Sequence, residues 1–319
     1  MVRLVWRTDV HLSDQAPASR KDDWTQAVFN NLDQVKMLAA KVKADAVIDG
    51  GDFFHVKSPS RNSHALVRRA SEHHADYPCP VYCVPGNHDA VYGDYTFLHQ
   101  QPLGVLYSSG IFKRLYDEHE AVFEREGVKV RVVGIPYHGT KYDMERFRSI
   151  KKGDEDHLIV VAHVLASQDG GSMFEGEDII KYRDLVDLDP DIWAFGHWHK
   201  DQGVAEISGK KFINVGSLTR GALTQDNMDR KPATVLLSFT KDDIKIQVLR
   251  LKVPPAEEVF DLDAKVRAEA RTMTVDAFVA SVKDTLISSK DKPLQDVIAD
   301  MGGVPEVVRE KALLYVEQA

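Results

Sequence analysis

Acidic, amide and histidine side chains recur in short groups along this chain, and each group directly follows an apolar run with the composition of a β-strand. In chain order the groups are Asp9 and His11, Asp52, Asn87 with His88 and Asp89, His163, and His197 with His199. The polar side chains therefore lie where strands give way to loops. Carboxylate, amide and imidazole groups are common ligands of divalent metal ions in proteins. The pattern indicates a metal site built from the ends of several strands.

The first hundred residues alternate between strand-like and helical patterns. Apolar residues at three- and four-residue intervals predict a helix over about residues 24–42 with one apolar face. Short buried strands are predicted at residues 46–48 and 81–84. Strand, helix, strand is the pattern of a crossover connection, so the helix should cover a sheet.

From Gly104 onward the pattern changes to more strand and less helix. Strand-like runs lie at residues 128–135, 158–162, 192–195, 211–215, 234–239 and 244–251. We expect these runs to build a second sheet packed face to face with the first. The predicted fold class is α/β, with a two-sheet β-sandwich flanked by helices.

Two consecutive prolines, Pro254 and Pro255, mark the predicted end of this domain, because proline cannot donate to a strand ladder. We predict one domain over residues 1–253 and a small C-terminal helical appendage over residues 254–319. Within the appendage, apolar residues at helical spacing over residues 275–286 form a face that either packs on the parent domain or docks a partner.

Net charge, apolar runs and cysteine content indicate which partners and which cellular location to expect. The formal net charge of -8 argues against a surface that coats polyanions generally, since non-specific duplex binding needs many Lys and Arg contacts. No stretch approaches the roughly 20 apolar residues of a membrane span, so we expect no membrane partner. Cys79 and Cys83 lie in one strand-like run where they cannot staple a fold, which predicts reduced thiols and a cytoplasmic location.

The spacing of the polar groups favours two neighbouring metal ions. Side chains alternate along a strand, so Asp9 and His11 should point to one side and grip one ion. Asp52 follows two glycines, and its two carboxylate oxygens can bridge two cations. Two ions roughly 3.5 to 4 Å apart clamp the attacking and leaving oxygens of a displacement at phosphorus, which predicts hydrolysis of phosphate esters. The mixture of Asp, His and Asn suits manganese, iron or zinc better than calcium. We expect manganese, with iron, zinc or magnesium as alternatives.

In these motifs the chain resembles the calcineurin-like metallophosphoesterase family, whose pattern runs Asp-x-His, Gly-Asp, Gly-Asn-His-Asp, His and Gly-His-x-His. The match spans residues 9–199, and Gly216 with Ser217 continues it. The resemblance implies two ligand sets that share one bridging carboxylate. One set is Asp9, His11, Asp52 and His199, and the other is Asp52, Asn87, His163 and His197.

The resemblance also implies roles for two residues that are not ligands. His88 would contact the phosphate and protonate the leaving oxygen as a general acid, while Asp89 would orient its ring. The nucleophile would be a metal-bound hydroxide that attacks in line with the leaving oxygen, without a covalent phospho-enzyme.

A longer string, residues 50–61, is similar to the DNA-repair exonuclease branch of that family, the SbcD-type nucleases that partner coiled-coil ATPases. The similarity implies a DNA exonuclease or endonuclease in which His55 steers the substrate for exonuclease action. A histidine at the surface or behind the ligands is the alternative for His55. The similarity also implies an SMC-like coiled-coil ATPase subunit and a homodimer as partners. The chain departs from that branch after Pro255, where it reads as helices and the capping region is missing or reduced.

Four further residues are candidate substrate contacts. Lys57 and Arg61 follow the second motif, where they could meet a nucleic-acid backbone. Tyr95 lies in a loop where it could stack on an unpaired base, and His138 follows a strand end where it could line the pocket. Ordinary loop packing is the alternative for Tyr95, and an uninvolved loop histidine is the alternative for His138.

Two alternatives to a nuclease stay open. The same metals in a narrower pocket would serve a phosphatase or phosphodiesterase that acts on small molecules or phosphoproteins. A metal-free scaffold, in which the helical tail matters most, is the non-enzymatic alternative. Such a relative would be expected to have lost ligands, whereas this chain has a suitable side chain at every position.

Overall fold

Two six-stranded mixed sheets pack face to face in the part of the chain that the computed structural model describes, residues 1–55, 62–90, 95–170 and 176–262. The first sheet contains β1 (Val2–Arg7), β2 (Ala46–Asp49), β3 (Val81–Cys83), β4 (Phe112–Arg114), β13 (Ala233–Phe239) and β14 (Ile244–Arg250). Its strand order is β14-β13-β1-β2-β3-β4. Strands β1 to β4 run parallel, while β13 pairs antiparallel with both of its neighbours.

The second sheet has a parallel centre and antiparallel edges. It contains β5 (Ala121–Arg125), β6 (Val128–Ile135), β7 (His157–His163), β10 (Ile192–Gly196), β11 (Gly203–Ile207) and β12 (Lys210–Asn214). The order is β11-β12-β10-β7-β6-β5, with β5 and β11 as the antiparallel edge strands. A separate parallel pair is formed by β8 (Ala166–Ser167) and β9 (Ile180–Lys181).

Helices cover the outer faces of the two sheets. The first sheet packs against α1 (Trp24–Val42), α2 (His64–Ala75) and α3 (Pro102–Ser108). The second sheet packs against α4 (Glu145–Arg148) and a 3₁₀ helix, Tyr182–Leu185. The remaining described helices are a 3₁₀ helix, Tyr95–Gln100, and the short helices α5 (Gln225–Asp229) and α6 (Ala256–Val259). None of the described helices is both long enough and apolar enough to cross a membrane.

Because side chains alternate along a strand, the first sheet packs into an apolar layer on each of its two faces. On β1, Leu4 and Trp6 enter the layer between the sheets, whereas Val5 enters the layer beneath the helices. Burial of each such side chain contributes roughly 1.5–3 kcal/mol relative to exposure. The predicted two-sheet α/β fold is therefore confirmed.

The helix predicted over residues 24–42 is confirmed, and α1 has the same bounds. Its capping residues begin and end the helix where the apolar pattern begins and ends. The side chain of Asp23 accepts a hydrogen bond from the N–H of Gln26, and Lys43 ends the helix in the left-handed conformation. The connection from β1 through α1 to the parallel β2 is the predicted crossover.

The assignment of residues 234–239 and 244–251 to the second sheet was wrong. They form β13 and β14, which return to the first sheet and complete the free edge of β1. Nearly every residue of β13 is buried, as an interior strand requires, and Val235 and Leu237 pack between the sheets. The edge strands β4, β5 and β11 were not predicted, because each is short or only half-buried.

The described chain continues to pack as one unit up to Phe260. Phe260 is fully buried, and the guanidinium of Arg20 lies 5.3 Å from the centre of its ring. The predicted appendage over residues 254–319, with its apolar face at 275–286, lies outside the described residues beyond position 262. Its helical character and the boundary at residue 253 stay predictions.

A buried ion pair lies beneath the turn that follows β2. Arg7 is fully buried, and its Nε donates to Asp49 Oδ2 at 2.7 Å. The other carboxylate oxygen of Asp49 accepts the N–H of Gly51 at 3.1 Å, so the pair supports the turn that carries Asp52. Removing one partner would leave an uncompensated buried charge, at a cost of about 3–5 kcal/mol.

Candidate metal centre

The candidate metal residues gather at one edge of the two sheets. Parallel strands β1, β2 and β3 end at the same edge of the first sheet, and β7 and β10 do so in the second. Asp9, Asp52 and Asn87 lie in the loops after β1, β2 and β3, while His163 ends β7 and His197 follows β10. The fold thus unites side chains that are far apart in the sequence.

The first group consists of Asp9, His11, Asp52 and His199, whose candidate ligand atoms all lie within 4.8 Å of one another. The Nε2 atoms of His11 and His199 are 2.8 Å apart. Asp9 Oδ1 lies 3.5 Å from His199 Nε2, and Asp52 Oδ2 lies 3.8 Å from His11 Nε2. Two carboxylates and two imidazoles at these separations could hold one divalent cation.

The second group shares Asp52 with the first and adds His163 and His197, again within 4.8 Å. His163 Nε2 lies 3.3 Å from Asp52 Oδ2 and 3.2 Å from Asn87 Oδ1, so the amide of Asn87 joins this group. The candidate groups are therefore adjacent, and one carboxylate belongs to both. This is the arrangement of a binuclear site.

The state of Asp52 fits a metal-bridging role. Its Oδ1 accepts the N–H of His88 at 2.7 Å. Its Oδ2 is buried and has no hydrogen-bond partner among the described residues, although His163 makes an ion-pair contact with it. A buried carboxylate oxygen without a donor is costly, and a cation would satisfy it. On the other side of the ring, His163 Nδ1 donates to the carbonyl of Gly50 at 2.7 Å, which leaves Nε2 to act as a ligand.

Four of the candidate ligands adopt the left-handed backbone conformation, and strand alternation does not explain their positions. Asp9, His11, Asp52 and His197 have φ angles of 53°, 51°, 53° and 87°. Asp9 and His11 lie beyond the end of β1, so the expected alternation does not apply to them. Asp and His tolerate this conformation better than most residues, but each such position costs of order 1–3 kcal/mol. Strain of this kind is concentrated at functional sites.

Close packing around Asp52 explains the glycine of the Gly-Asn-His-Asp motif. A Cβ at Gly86 would overlap the Asp52 carboxylate and its backbone nitrogen. The loops after β2 and β3 therefore approach each other as closely as their backbones allow. Any side chain at Gly86 would displace the shared carboxylate.

Electrostatics keep the carboxylates of Asp9 and Asp52 ionised. Burial would raise the pKa of Asp9, but a hydrogen bond with His199 and the charges of His163 and His199 hold it at about 2. Burial alone would lower the pKa of His163, yet the charge of Asp52 raises it to about 10. Burial and the charge of His199 hold the pKa of His11 well below its usual range, so its ring is neutral. A cation binding here would release the proton of His163.

His88 lies beside the first group. The candidate ligand atoms of His11, His55 and His88 lie within 4.8 Å of one another, and the rings of His55 and His88 are stacked with centroids 5.1 Å apart. His88 Nδ1 donates to the backbone carbonyl of His55 at 2.7 Å. Burial and the charge of His88 lower the pKa of His55. His55 thus lies in contact with the site and holds the ring of His88 through its main chain.

The prediction that Asp89 orients the ring of His88 was wrong. The carboxylate of Asp89 accepts the backbone N–H groups of Phe53, Phe54 and Gly86 at 3.4, 3.2 and 2.9 Å. Burial and the charge of Asp52 raise the pKa of Asp89 to about 8. Asp89 therefore joins the loops after β2 and β3, and the carbonyl of His55 supplies the orienting contact instead.

Two residues that the sequence did not indicate support His197. Glu177 Oε1 lies 2.9 Å from His197 Nε2 and accepts the hydroxyl hydrogen of Tyr142 at 2.6 Å. The Tyr142 oxygen in turn accepts the N–H of Leu165 at 2.8 Å. A carboxylate that binds one nitrogen of an imidazole orients the ring and raises its basicity as a metal ligand. Glu177 carries no motif and follows no strand, so no sequence signal pointed to it.

Replacing Glu177 with Gln should weaken metal binding by roughly 10-fold, because the ring of His197 loses its charged partner. Titration of the metal-depleted protein with Mn²⁺, followed by calorimetry, measures the affinity. Glu206→Gln is the control, since Glu206 forms an exposed pair with Lys211. An unchanged Mn²⁺ affinity in the Glu177 variant would show that the contact does not tune the site.

The structure describes two of the four candidate substrate residues. Tyr95 and His138 line one pocket at the side of the metal residues. Lys57 and Arg61 lie outside the described residues, so their role stays a prediction. Ser217, next to Gly216 in the last motif, is buried and donates to the carbonyl of Asp9 at 2.7 Å, which makes it a support for the first ligand.

Comparisons with known proteins identify a family and several similar chains. A family model described as calcineurin-like phosphoesterase matches residues 3–201. The chain is 23% identical to the DNA double-strand break repair protein Mre11 of Saccharolobus solfataricus, over 99% of this chain and 78% of that protein. It is 25% identical to the uncharacterized metallophosphoesterase YhaO of Bacillus subtilis, over 94% of this chain and 69% of that protein. Among solved structures, the sulfate thiohydrolase SoxB of Thermus thermophilus matches with a TM-score of 0.48 and 13% identity, covering 85% of this chain and 60% of that one.

Proposed function

Since this chain belongs to the calcineurin-like phosphoesterase family, we propose that it is a metal-dependent nuclease that hydrolyses phosphodiester bonds in DNA. The observation that carries the proposal is the pair of residue groups that share Asp52 beside His88. Two divalent ions bound there would activate a coordinated water and offset the charge that develops at phosphorus. The similarity to Mre11 of S. solfataricus over 99% of the chain supports DNA as the substrate.

We assign the residues to roles by their positions in the two groups. Asp9, His11, Asp52 and His199 would hold one ion, and Asp52, Asn87, His163 and His197 the other. Imidazole and carboxylate ligands together favour manganese, iron or zinc over calcium, and we propose manganese. Burial of Asp52 and the ligands around it would fix the positions of both ions before a substrate arrives.

His88 is suited to protonate the leaving oxygen. Its Nδ1–H is held by the carbonyl of His55, so Nε2 is the nitrogen that can exchange a proton with a substrate. A protonated ring would give the Nε2 proton to the departing oxygen and would keep its Nδ1 hydrogen bond as a neutral ring. The hydrogen bond with His55 therefore preserves the orientation of the ring through both protonation states.

The proposal is tested by offering linear duplex DNA, single-stranded DNA and an aryl phosphodiester to the purified protein with Mn²⁺, Mg²⁺ or a chelator. We expect Mn²⁺-dependent shortening or nicking of DNA, lost on chelation. Hydrolysis of the aryl ester without any cleavage of DNA would exclude the nuclease function. It would favour a phosphodiesterase or phosphatase that acts on small molecules or phosphoproteins. If a metal-loaded protein hydrolyses none of these substrates, the proposed enzymatic function is wrong.

The predicted partners follow from the nuclease proposal. We propose that a coiled-coil ATPase of the SMC-like class and a second copy of the chain bind the protein in the cytoplasm. Co-purification with a large ATPase, and the mass of the particle in solution, test the two partners separately.

A further inference from the structure

A pocket of about 550 Å³ opens beside the metal residues and takes no part in the proposed metal chemistry. We call it the arginine pocket; its walls include Tyr95, Arg114, Tyr116, His119, His138 and Arg146. Pockets of roughly 300–1,000 Å³ commonly bind small molecules or parts of larger ones. The arginine pocket is therefore large enough for one nucleotide.

The pocket lies at the edge of the sheets that carries the metal residues. Arg114 ends β4, which runs parallel to β3, and His138 follows the end of β6, which runs parallel to β7. The preceding residue, Tyr137, places its ring 5.2 Å from the ring of His197 and 6.3 Å from that of His163. Adjacent residues of one loop thus border the candidate metal centre and the arginine pocket.

The pocket contains two cations without a carboxylate partner. Among the described residues, neither Arg114 nor Arg146 forms an ion pair, and Asp117, which also lines the pocket, pairs with neither. Other arginines of this region are paired: Arg148, on the same helix as Arg146, binds Glu145 at 2.6 Å. Arginine stays charged at all physiological pH values, so among the described lining residues two guanidinium charges stand against the one carboxylate of Asp117, in a chain of net charge -8.

The other walls suit a nucleobase. Tyr95 and His138 line the pocket, and a base could stack on aromatic side chains of this kind. The hydroxyl of Tyr95 is buried and has no hydrogen-bond partner among the described residues. Burial and the charge of Asp89 raise the pKa of Tyr95, so this hydroxyl stays protonated.

Building on the nuclease function proposed above, we propose that the arginine pocket binds one nucleotide of a single DNA strand next to the bond that is cut. Arg114 and Arg146 contact its phosphate, and Tyr95 and His138 contact its base. Phosphate contacts of this kind position a strand without reading its sequence. The pocket thus accounts for substrate positioning in a protein whose overall charge repels DNA.

The test measures binding of a fluorescent single-stranded oligonucleotide to the full chain, with Ca²⁺ in place of Mn²⁺ to prevent cleavage. Arg114→Ala/Arg146→Ala should weaken binding at least 10-fold and should reduce the slope of log affinity against log salt by roughly 0.7, as expected when the one phosphate that both arginines contact is no longer neutralised. The matched control is Lys113→Ala/Arg148→Ala, which removes two cations from the same strand and helix but outside the pocket. Thermal melting verifies that both variants fold.

Equal weakening by the two double variants would overturn the proposed binding site, because binding would then depend on the total positive charge of the protein and not on the arginine pocket. Unchanged binding in Arg114→Ala/Arg146→Ala would overturn it as well. A second variant, Tyr95→Leu, should weaken binding of a normal oligonucleotide more than binding of one with abasic sites. If the parent protein binds DNA through these arginines but cuts no phosphodiester, the nuclease proposal fails while the binding site stands.

Discussion

Asp52→Asn should reduce kcat/KM for phosphodiester hydrolysis on the order of 1,000-fold or more, which corresponds to a loss of about 4 kcal/mol of transition-state stabilisation. Asp52 is the only residue common to the two described metal groups, and its Oδ2 faces both His11 and His163. The amide of asparagine occupies the same space but has no charge to neutralise two cations. We therefore expect the variant to retain its fold and to bind fewer than two ions per chain.

Elemental analysis of the dialysed protein measures the metal content, and an aryl phosphodiester measures the rate. Asp154→Asn is a suitable control, because Asp154 is an exposed carboxylate that pairs with Lys129 far from the sheet edge. Two tightly bound ions together with near-parental turnover in the Asp52 variant would contradict the shared-carboxylate site.

His88→Ala should leave the metal content near that of the parent while slowing DNA cleavage by about 100-fold, the lower range for loss of a general acid. His88 lies in contact with His11 but is held by the carbonyl of His55, so its removal takes away no ligand of the two shared-carboxylate groups. The loss should be smaller for a 4-nitrophenyl diester, because that leaving group departs without a proton.

The comparison of the two substrates separates acid catalysis from general damage to the site. His99→Ala is the control, since His99 is an exposed histidine whose ring bonds to Thr96 and Gln100 of its own 3₁₀ helix. Loss of metal in the His88 variant would mean that His88 is a ligand, and equal loss on both substrates would remove the general-acid role.

The sequence predicted those features in which local pattern and tertiary structure agree. The apolar face and acidic cap of α1 place its bounds at Trp24 and Val42, and the glycine-bounded runs gave β2 and β3. The polar groups after these strands meet because parallel strands end together. Their places after strands, together with the resemblance to the metallophosphoesterase family, were therefore enough to anticipate which side chains converge.

Other features depend on contacts that no local pattern contains. An apolar run such as residues 234–239 fits either sheet, and only pairing with β1 decides between them. Asp89 lies next to His88 in sequence, but its turn directs the carboxylate to three backbone N–H groups instead. Glu177 reaches His197 from a loop, and the signal for such a contact is absent from a single sequence.

The place of β13 beside β1 has a consequence for biosynthesis. β1 is synthesised more than 200 residues before β13, the strand that completes its second edge. An unpaired strand edge invites association with other chains. Ser217 and His197, which bond to Asp9, also arrive late in translation. The full set of candidate metal ligands therefore exists only after His199 has been made, and one edge of β1 stays unpaired until β13 follows.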